Sequence, residues 1–544
     1  MLRIFATTTV ALSAATLAVG GARAAAQEAH QHGKFGVVSF ANSCSAEAQP
    51  IFTHGVTLLH SFEFGPAIQQ FTLAAEKDPS CGIAYWGVAL ARWGNPFAAG
   101  NKPAALLQPG VAAVERARTA GAKTDRERAY IEAVARLYDQ IETVGQRTRF
   151  LAYRDAMERV ATTYKDDTEA SAFYALALAA GADPADKTYT AQLKAGEILE
   201  KLWQSQPEHP GLAHYIIHSY DVPALAPKAV DAARRYGKIA PDAPHALHMP
   251  SHTFTRLGYW QDSIDTNVLS AAAAKREGAA AEQMHAMDYQ AYAYLQTAQD
   301  AAARRLMESL PEVMTRFDAT AVSSAAPAVA GIFAQAAIPA RYALERGAWA
   351  DAARLEPRQT KFLQADAITW FARALGAARN RDVQTARAAI GELHKISEAL
   401  AAAKESYWAD QVGIQELDAS AWLALAEGRE ADALETMRSA ADREDRTEKN
   451  AITPGPLAPA RELLGEMLLQ LKKPKEALAE FQKTAAKEPN RFRAVAGAAE
   501  AAAASGDRAL ARRYSQQLLS VCVKSDAPGR AELVRARALV KRGS

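Results

Sequence analysis

The spacing of small and aromatic residues restricts this chain more than any single motif does. Near the start it runs Gly55, Ala67, Phe71, Ala74, Pro79, and near the other end Gly465, Ala477, Phe481, Thr484, Pro489. Counted from the glycine, the offsets are 12, 16, 19 and 24 both times. The twelve-residue step recurs at Ile217 and Ala229, Ser251 and Ser263, Ala340 and Ala352, Ala374 and Ala386, and Ala421 and Ala433, and only Ile217 is not small. Small residues at a helix crossing let the two axes approach to about 8–10 Å. The step therefore predicts a succession of paired helices. Pro207 and Pro241 each stand where a proline closes a helix, and the interval between them is one full repeat.

This order resembles the tetratricopeptide repeat (TPR), a helix-turn-helix of about 34 residues with small eighth and twentieth residues, a frequent Phe at 24 and a frequent Pro at 32. The resemblance implies an all-α, TPR-like helical-hairpin solenoid (a superhelix) of roughly 12 to 14 hairpins. It is strong at the places above and weak from Lys102 to Lys165, where the pattern stays helical and Thr124 with Glu127 forms a capping-box pattern. The divisions that follow are a signal peptide at 1–26, an N-terminal segment at 27–47, repeats at 48–101, degenerate helical repeats at 102–209, repeats with a His-rich groove at 210–310, and C-terminal repeats at 311–544. The family resemblance also implies a concave face built from first helices, with ligands meeting repeat positions 2, 5, 9, 12 and 13. The stretches HPGLAHYIIHSYD and APHALHMPSHTFTRLGYW are similar to segments of secreted bacterial TPR proteins of unassigned function. That similarity implies a family and no reaction.

The 544 residues carry 63 basic and 61 acidic side chains, a net charge of +2 with no basic block. Such a balance does not neutralise a phosphate backbone, so nucleic acid is not an expected partner. Arg3, an apolar stretch from Ile4 to Val19 and the exit Ala22-Arg23-Ala24 read as a secretory signal peptide. The protein is expected to be exported, periplasmic or secreted. The apolar run is too short and too interrupted to span a bilayer, and no later stretch replaces it, so the mature chain is expected to have no membrane span. In an oxidising compartment Cys44 and Cys81 can pair, leaving Cys522 over.

Seven of the 12 histidines crowd into the stretch from His209 to His285 (His209, His214, His218, His245, His248, His252, His285). His214 and His218 are one helical turn apart, as are His248 and His252, and the second pair follows the first by the same interval that separates Pro207 from Pro241. On the repeat both pairs take positions 5 and 9 of consecutive first helices, with His245 at position 2 opposite Gly211. Residues at i and i+4 share a face with Cβ atoms about 5–6 Å apart, so the two pairs can converge in the groove. Neutral imidazoles bind Zn, Cu, Ni or Fe, and three or four nitrogens from two helices complete a tetrahedral or open site. His285 on the next first helix is a further candidate ligand, and Asp288 and Tyr289 beside it are expected to add an oxygen ligand or to hold an imidazole from behind. No HExxH, CxxC or CxxCH motif is present, and His209, just before Pro210, belongs to a loop.

Four other residues are groove candidates. Trp86 and Trp93 fall at positions 5 and 12 counted from Gly82, although tryptophans at helical spacing are more often core. Pro250 removes a backbone donor and frees the carbonyl of Ala246, for which Arg256 is a candidate partner. Arg341 takes the histidine's place in the repeat of Pro339 and reads either as an anion-binding extension of the groove or as a solvated side chain. His54 and His60 read as structural, and His30 and His32 as a solvated tail. The first expectation is a binding protein with a His-lined site for a transition metal or a metal-bearing ligand. The alternatives are a metal-free scaffold that binds a protein or peptide partner in an envelope assembly, and a metal-dependent enzyme with His285 or Asp288 as base. The first two are not enzymes.

Overall fold

The computed structural model describes residues 33–541 except 99, 323 and 528. The signal peptide at 1–26, His30 and His32 lie outside the described residues. Among the described residues every regular element is a helix, and most successive helices pack against one another along the chain.

The repeat signature has a direct packing cause. Phe71, on the helix Phe64–Lys77, lies against Gly55 of Ala48–His60 and Gly87 of Gly82–Trp93. A Cβ at those glycines would stand 2.8 and 2.5 Å from the ring. Phe481 is held in the same way, at 2.9 Å from a Cβ on Gly465 and closer still to one on Gly497. Each ring is thus clamped between its own hairpin and the next, which is why glycine and phenylalanine recur at a fixed offset. The result is a TPR-like stack of helical hairpins. The weak stretch after Lys102 is also helical, as Ala104–Ala120, Asp125–Ala135 and Gln146–Thr163. Thr124 caps the second of these by accepting from the Glu127 N–H, while the Glu127 carboxylate turns away to Ser43.

One apolar core gathers side chains chiefly between Phe35 and Phe254, and a second those between Phe333 and Ala501. The helices between them do not face an open groove, because the C-terminal repeats fold back onto them. The indole N–H of Trp260 donates to the carbonyl of Asn490 at 2.9 Å. Buried Arg491 pairs with Glu345 and Glu462, each at 2.8 Å, and donates to the Tyr292 hydroxyl. Arg530 pairs with Asp300. Among the described residues no helix is long and apolar enough to cross a membrane.

Cys44 and Cys81 form a disulfide, and Cys522 is free and buried. The cross-link spans a sequence separation of 37 residues. A loop of that length removes about 4 kcal/mol of unfolded-chain entropy. Replacing both cysteines by serine is therefore expected to lower the unfolding free energy in urea by up to about 4 kcal/mol. An unchanged midpoint would show that the cross-link is absent or without consequence.

Candidate metal centre

The first histidine pair sits on Pro210–Ser219, a helix that begins with proline and is capped by His209, whose Nδ1 accepts from the Leu212 N–H. Gly211 is required there, since a Cβ would overlap Nδ1 of His60. The second pair sits on Pro244–His248 and its continuation Pro250–Leu257, joined through Met249 in helical conformation. Pro250 interrupts the ladder there, as the sequence implies. Arg256 does not serve the Ala246 carbonyl. Its guanidinium donates to the carboxylate and the carbonyl of Asp221, at 2.9 and 2.8 Å. His285 comes from the next hairpin, on Ala280–Gln296.

Six rings form one continuous cluster that divides into two groups of three. His214, His218 and His245 make the first, and His248, His252 and His285 the second, with one ligand atom from each residue within 4.8 Å of the others in its group. Ring centres are 4.8 Å apart for His214 and His218, 5.0 Å for His214 and His245, 5.0 Å for His248 and His252, and 4.4 Å for His248 and His285. His218 and His245, also within the first group, are 6.4 Å apart, and between groups the separations are 6.0 Å for His245 and His248 and 6.1 Å for His218 and His252. By the mutual closeness of their ligand atoms, and not by ring spacing, the two i, i+4 pairs fall into separate groups. Each recruits a third ring instead.

The outer face of the cluster fixes where the ring protons go. Nδ1–H of His214 donates to the His60 carbonyl at 2.7 Å, that of His245 to Glu282 at 3.1 Å, that of His248 to Asn267 Oδ1 at 2.7 Å, and that of His252 to Asp221 at 2.9 Å. Asn267 is oriented by its own amide, which donates to the Ser263 carbonyl. With Nδ1 protonated, Nε2 of each neutral ring carries a lone pair. The buried Nε2 atoms of His214, His218 and His245 and Nδ1 of His285 have no hydrogen-bond partner. Nε2 of His248 faces Nε2 of His252 at 3.1 Å. Two lone pairs at that distance repel unless a proton or a metal ion lies between or beside them.

Burial holds His214, His218, His245, His248 and His285 well below the usual imidazole value. It also lowers His252, despite the opposing pull of Asp221. Lys449 and Arg256 keep Asp221 ionised against its own burial, and burial brings Lys449 down to about 8. The rings stay neutral and able to act as ligands.

Several sequence expectations are corrected by this packing. The six histidines are 0–7% exposed, so they do not line an open wall. Trp86 is fully buried against Phe40, Tyr130 and Phe173 and is core, not groove. Trp93 packs on Phe150 and Tyr138 and only borders the solvent basin described below. Arg341 is neither solvated nor an anion site. It is buried and donates to Asp288 at 2.8 Å, to Thr453 Oγ1 at 2.7 Å and to the Gly455 and Pro456 carbonyls. Asp288 is thereby committed to a guanidinium and is unavailable as a ligand. Tyr289 does lie against the rings, 4.7 Å from His248 and 5.0 Å from His252, but its hydroxyl is shared between the carbonyls of Ala451 and Thr453. His60 is structural, as expected: its two nitrogens meet Glu169 and Tyr215, and His209 takes the other Glu169 oxygen.

The residues that hold the imidazoles had no signal in sequence. Asp221, Asn267 and Glu282 are ordinary polar residues until the fold places them behind a ring. Phe62, held at φ 56°, covers the first group, with its ring centre 4.4 Å from His214 and 5.7 Å from both His218 and His245. Phe97 stacks on His218 at 4.1 Å. Beside the rings lies a cavity of about 30 Å³ bordered by His218, His245, His252 and His285. It shares Asn95, Ala98 and Asn450 with a solvent-open basin of about 730 Å³.

No family model matches the chain, and no curated protein matches it. Solved structures that match include a human IFIT1 dimer with PPP-AAAA, 11% identical over 88% of this chain and 95% of that one, with a TM-score of 0.38. Another is the TPR domain of P58(IPK), 13% identical over 92% of this chain and 99% of that one, with a TM-score of 0.21. At these scores the likeness carries nothing about ligand or partner.

Two outcomes follow from the burial. A histidine whose folded pKa lies below its unfolded value of about 6.5 contributes stability that is present above pH 6.5 and is lost as the pH falls below it. In the presence of a chelator, urea unfolding is expected to show stability falling from pH 6.5 downward, by about 1.4 kcal/mol per pH unit for each such ring. A flat profile between pH 7 and 5 would mean that the rings are hydrated. Asp288→Asn leaves a buried guanidinium without its counter-charge, and is expected to cost about 3–5 kcal/mol in the same assay. A cost below about 1 kcal/mol would contradict the pairing.

Proposed function

We propose that this chain is an exported, TPR-like metal-binding protein whose buried histidine cluster takes up a transition-metal ion. The observation that carries the reading is the set of ring nitrogens turned inward without a partner, together with His248 and His252 facing each other through their lone pairs at 3.1 Å. Buried polar atoms are almost always satisfied, and a concentration of unsatisfied ones in a single place calls for a ligand. A metal ion, which accepts electron pairs, satisfies such nitrogens. The backing of Nδ1–H by a carboxylate, an amide or a carbonyl is the arrangement that orients metal-bound imidazoles and raises their basicity. Nitrogen donors favour Zn, Cu, Ni or Fe over Mg or Ca.

The apolar N-terminal run and the Cys44–Cys81 disulfide support export, since such bonds persist in oxidising compartments. A protein or peptide partner, if the concave face has one, would meet the basin that remains open and not the histidine helices.

The test is metal content. Protein purified without a histidine tag and exposed to zinc or copper, then desalted, is expected to retain at least one ion per chain by elemental analysis. Retention well below one ion overturns the reading in favour of a metal-free scaffold. Asn267→Leu removes the acceptor behind His248 at similar volume and is expected to weaken metal affinity about 10–100-fold in a chelator competition. An unchanged affinity would place the ion away from His248.

A further inference from the structure

The cluster contains more donors than one ion uses. Each group of three has the composition of a three-nitrogen site with an open position, and each draws its nitrogens from within 4.8 Å. The ligand atoms that lie within 4.8 Å of one another fall into two sets, although ring centres across the sets, at 6.0 and 6.1 Å, are no farther apart than those of His218 and His245 within the first, at 6.4 Å. Both groups also contribute to one small space. The cavity of about 30 Å³ is bordered by His218 and His245 from the first group and by His252 and His285 from the second. That space is large enough to admit a water molecule.

We propose that the histidine cluster holds two transition-metal ions, one per group, with an exchangeable oxygen-donor ligand, water or hydroxide, in the cavity that both groups border. The inference rests on the metal reading above and extends it from one ion to a pair. Paired metal sites place their ions about 3.5–4 Å apart, where both reach one bridging oxygen. A carboxylate stands behind a ring in each group, that of Asp221 being shared with Arg256 and Lys449. Asp221 accepts from His252 and Glu282 from His245, so each group has a carboxylate one imidazole away from its metal. Exchange with solvent runs past Asn95, Ala98 and Asn450, which border both the cavity and the basin of about 730 Å³. The third buried arrangement, His60 with Glu169 and His209, offers no comparable site. Its ring nitrogens are already bonded to Glu169, Tyr215 and the Leu212 N–H.

The experiment titrates the metal-free full chain with copper(II) alone and counts bound copper after desalting, with electron paramagnetic resonance on the same samples. Two ions per chain are expected for the unaltered protein. One is expected for His218→Asn and one for His285→Asn, with none for the double variant. At two equivalents the ordinary copper(II) signal is expected to be lost or split by coupling between neighbouring ions. No bound copper would overturn the metal reading itself, whereas one ion per chain would leave that reading standing and overturn the pair. Copper retained by the double variant, or two equivalents giving the full signal of isolated ions, would also overturn the pair. The resonance measurement needs only the unaltered protein, so the inference remains testable if a variant does not fold.

Discussion

The burial of the histidine cluster depends on the C-terminal repeats returning to the middle of the stack, and the Arg341 guanidinium is where that return is fastened. It reaches Asp288 on the His285 helix and, through its other donors, Thr453, Gly455 and Pro456 on the returning loop. A buried guanidinium is tolerable only when its charge and its donors are met, so the loop has one conformation in which the pair is satisfied. Tyr289, one residue after Asp288, lies against the same loop through the carbonyls of Ala451 and Thr453. The face that an open superhelix would offer to solvent is thereby covered, and the imidazoles on it become interior groups.

An interior of this kind is costly unless it has a purpose. Ring nitrogens that would face bulk water on an open wall are enclosed here, and several have no hydrogen-bond partner within the protein. The backing groups come from separate parts of the chain: the carbonyl of His60, Asp221, Asn267 and Glu282. Phe62 and Phe97 add apolar cover from the first two repeats. A set of outward-facing protons and inward-facing lone pairs is what a polyimidazole metal site requires, and a packed core has no use for it.

Much of this was legible in the sequence because it is periodic. Glycine precedes phenylalanine by a fixed offset because one ring touches two glycines, and the two histidine pairs share a register because their helices are consecutive first helices. The membership of His214, His218, His245, His248 and His252 could be read from that register, and His285 was marked only by lying on the next first helix. What could not be read was closure. Arg341 is far along the chain from Asp288 and farther still from the carbonyls it binds, so repeat position alone makes it a groove residue. Trp86 sits at a groove position yet is buried among Phe40, Tyr130 and Phe173, which the N-terminal segment and the degenerate repeats supply. The division into two groups of three escaped for a similar reason, since ring orientation is set by acceptors such as Asn267 whose role has no spacing signature.

The central claim is that ring nitrogens of this cluster bind a transition metal directly, and X-ray absorption on the zinc-loaded full chain measures that most directly. The account predicts a first shell of about three nitrogens at about 2.0–2.1 Å, with the outer-shell scattering of imidazole rings and at most one or two oxygens. A shell made of oxygen without imidazole scattering would contradict it.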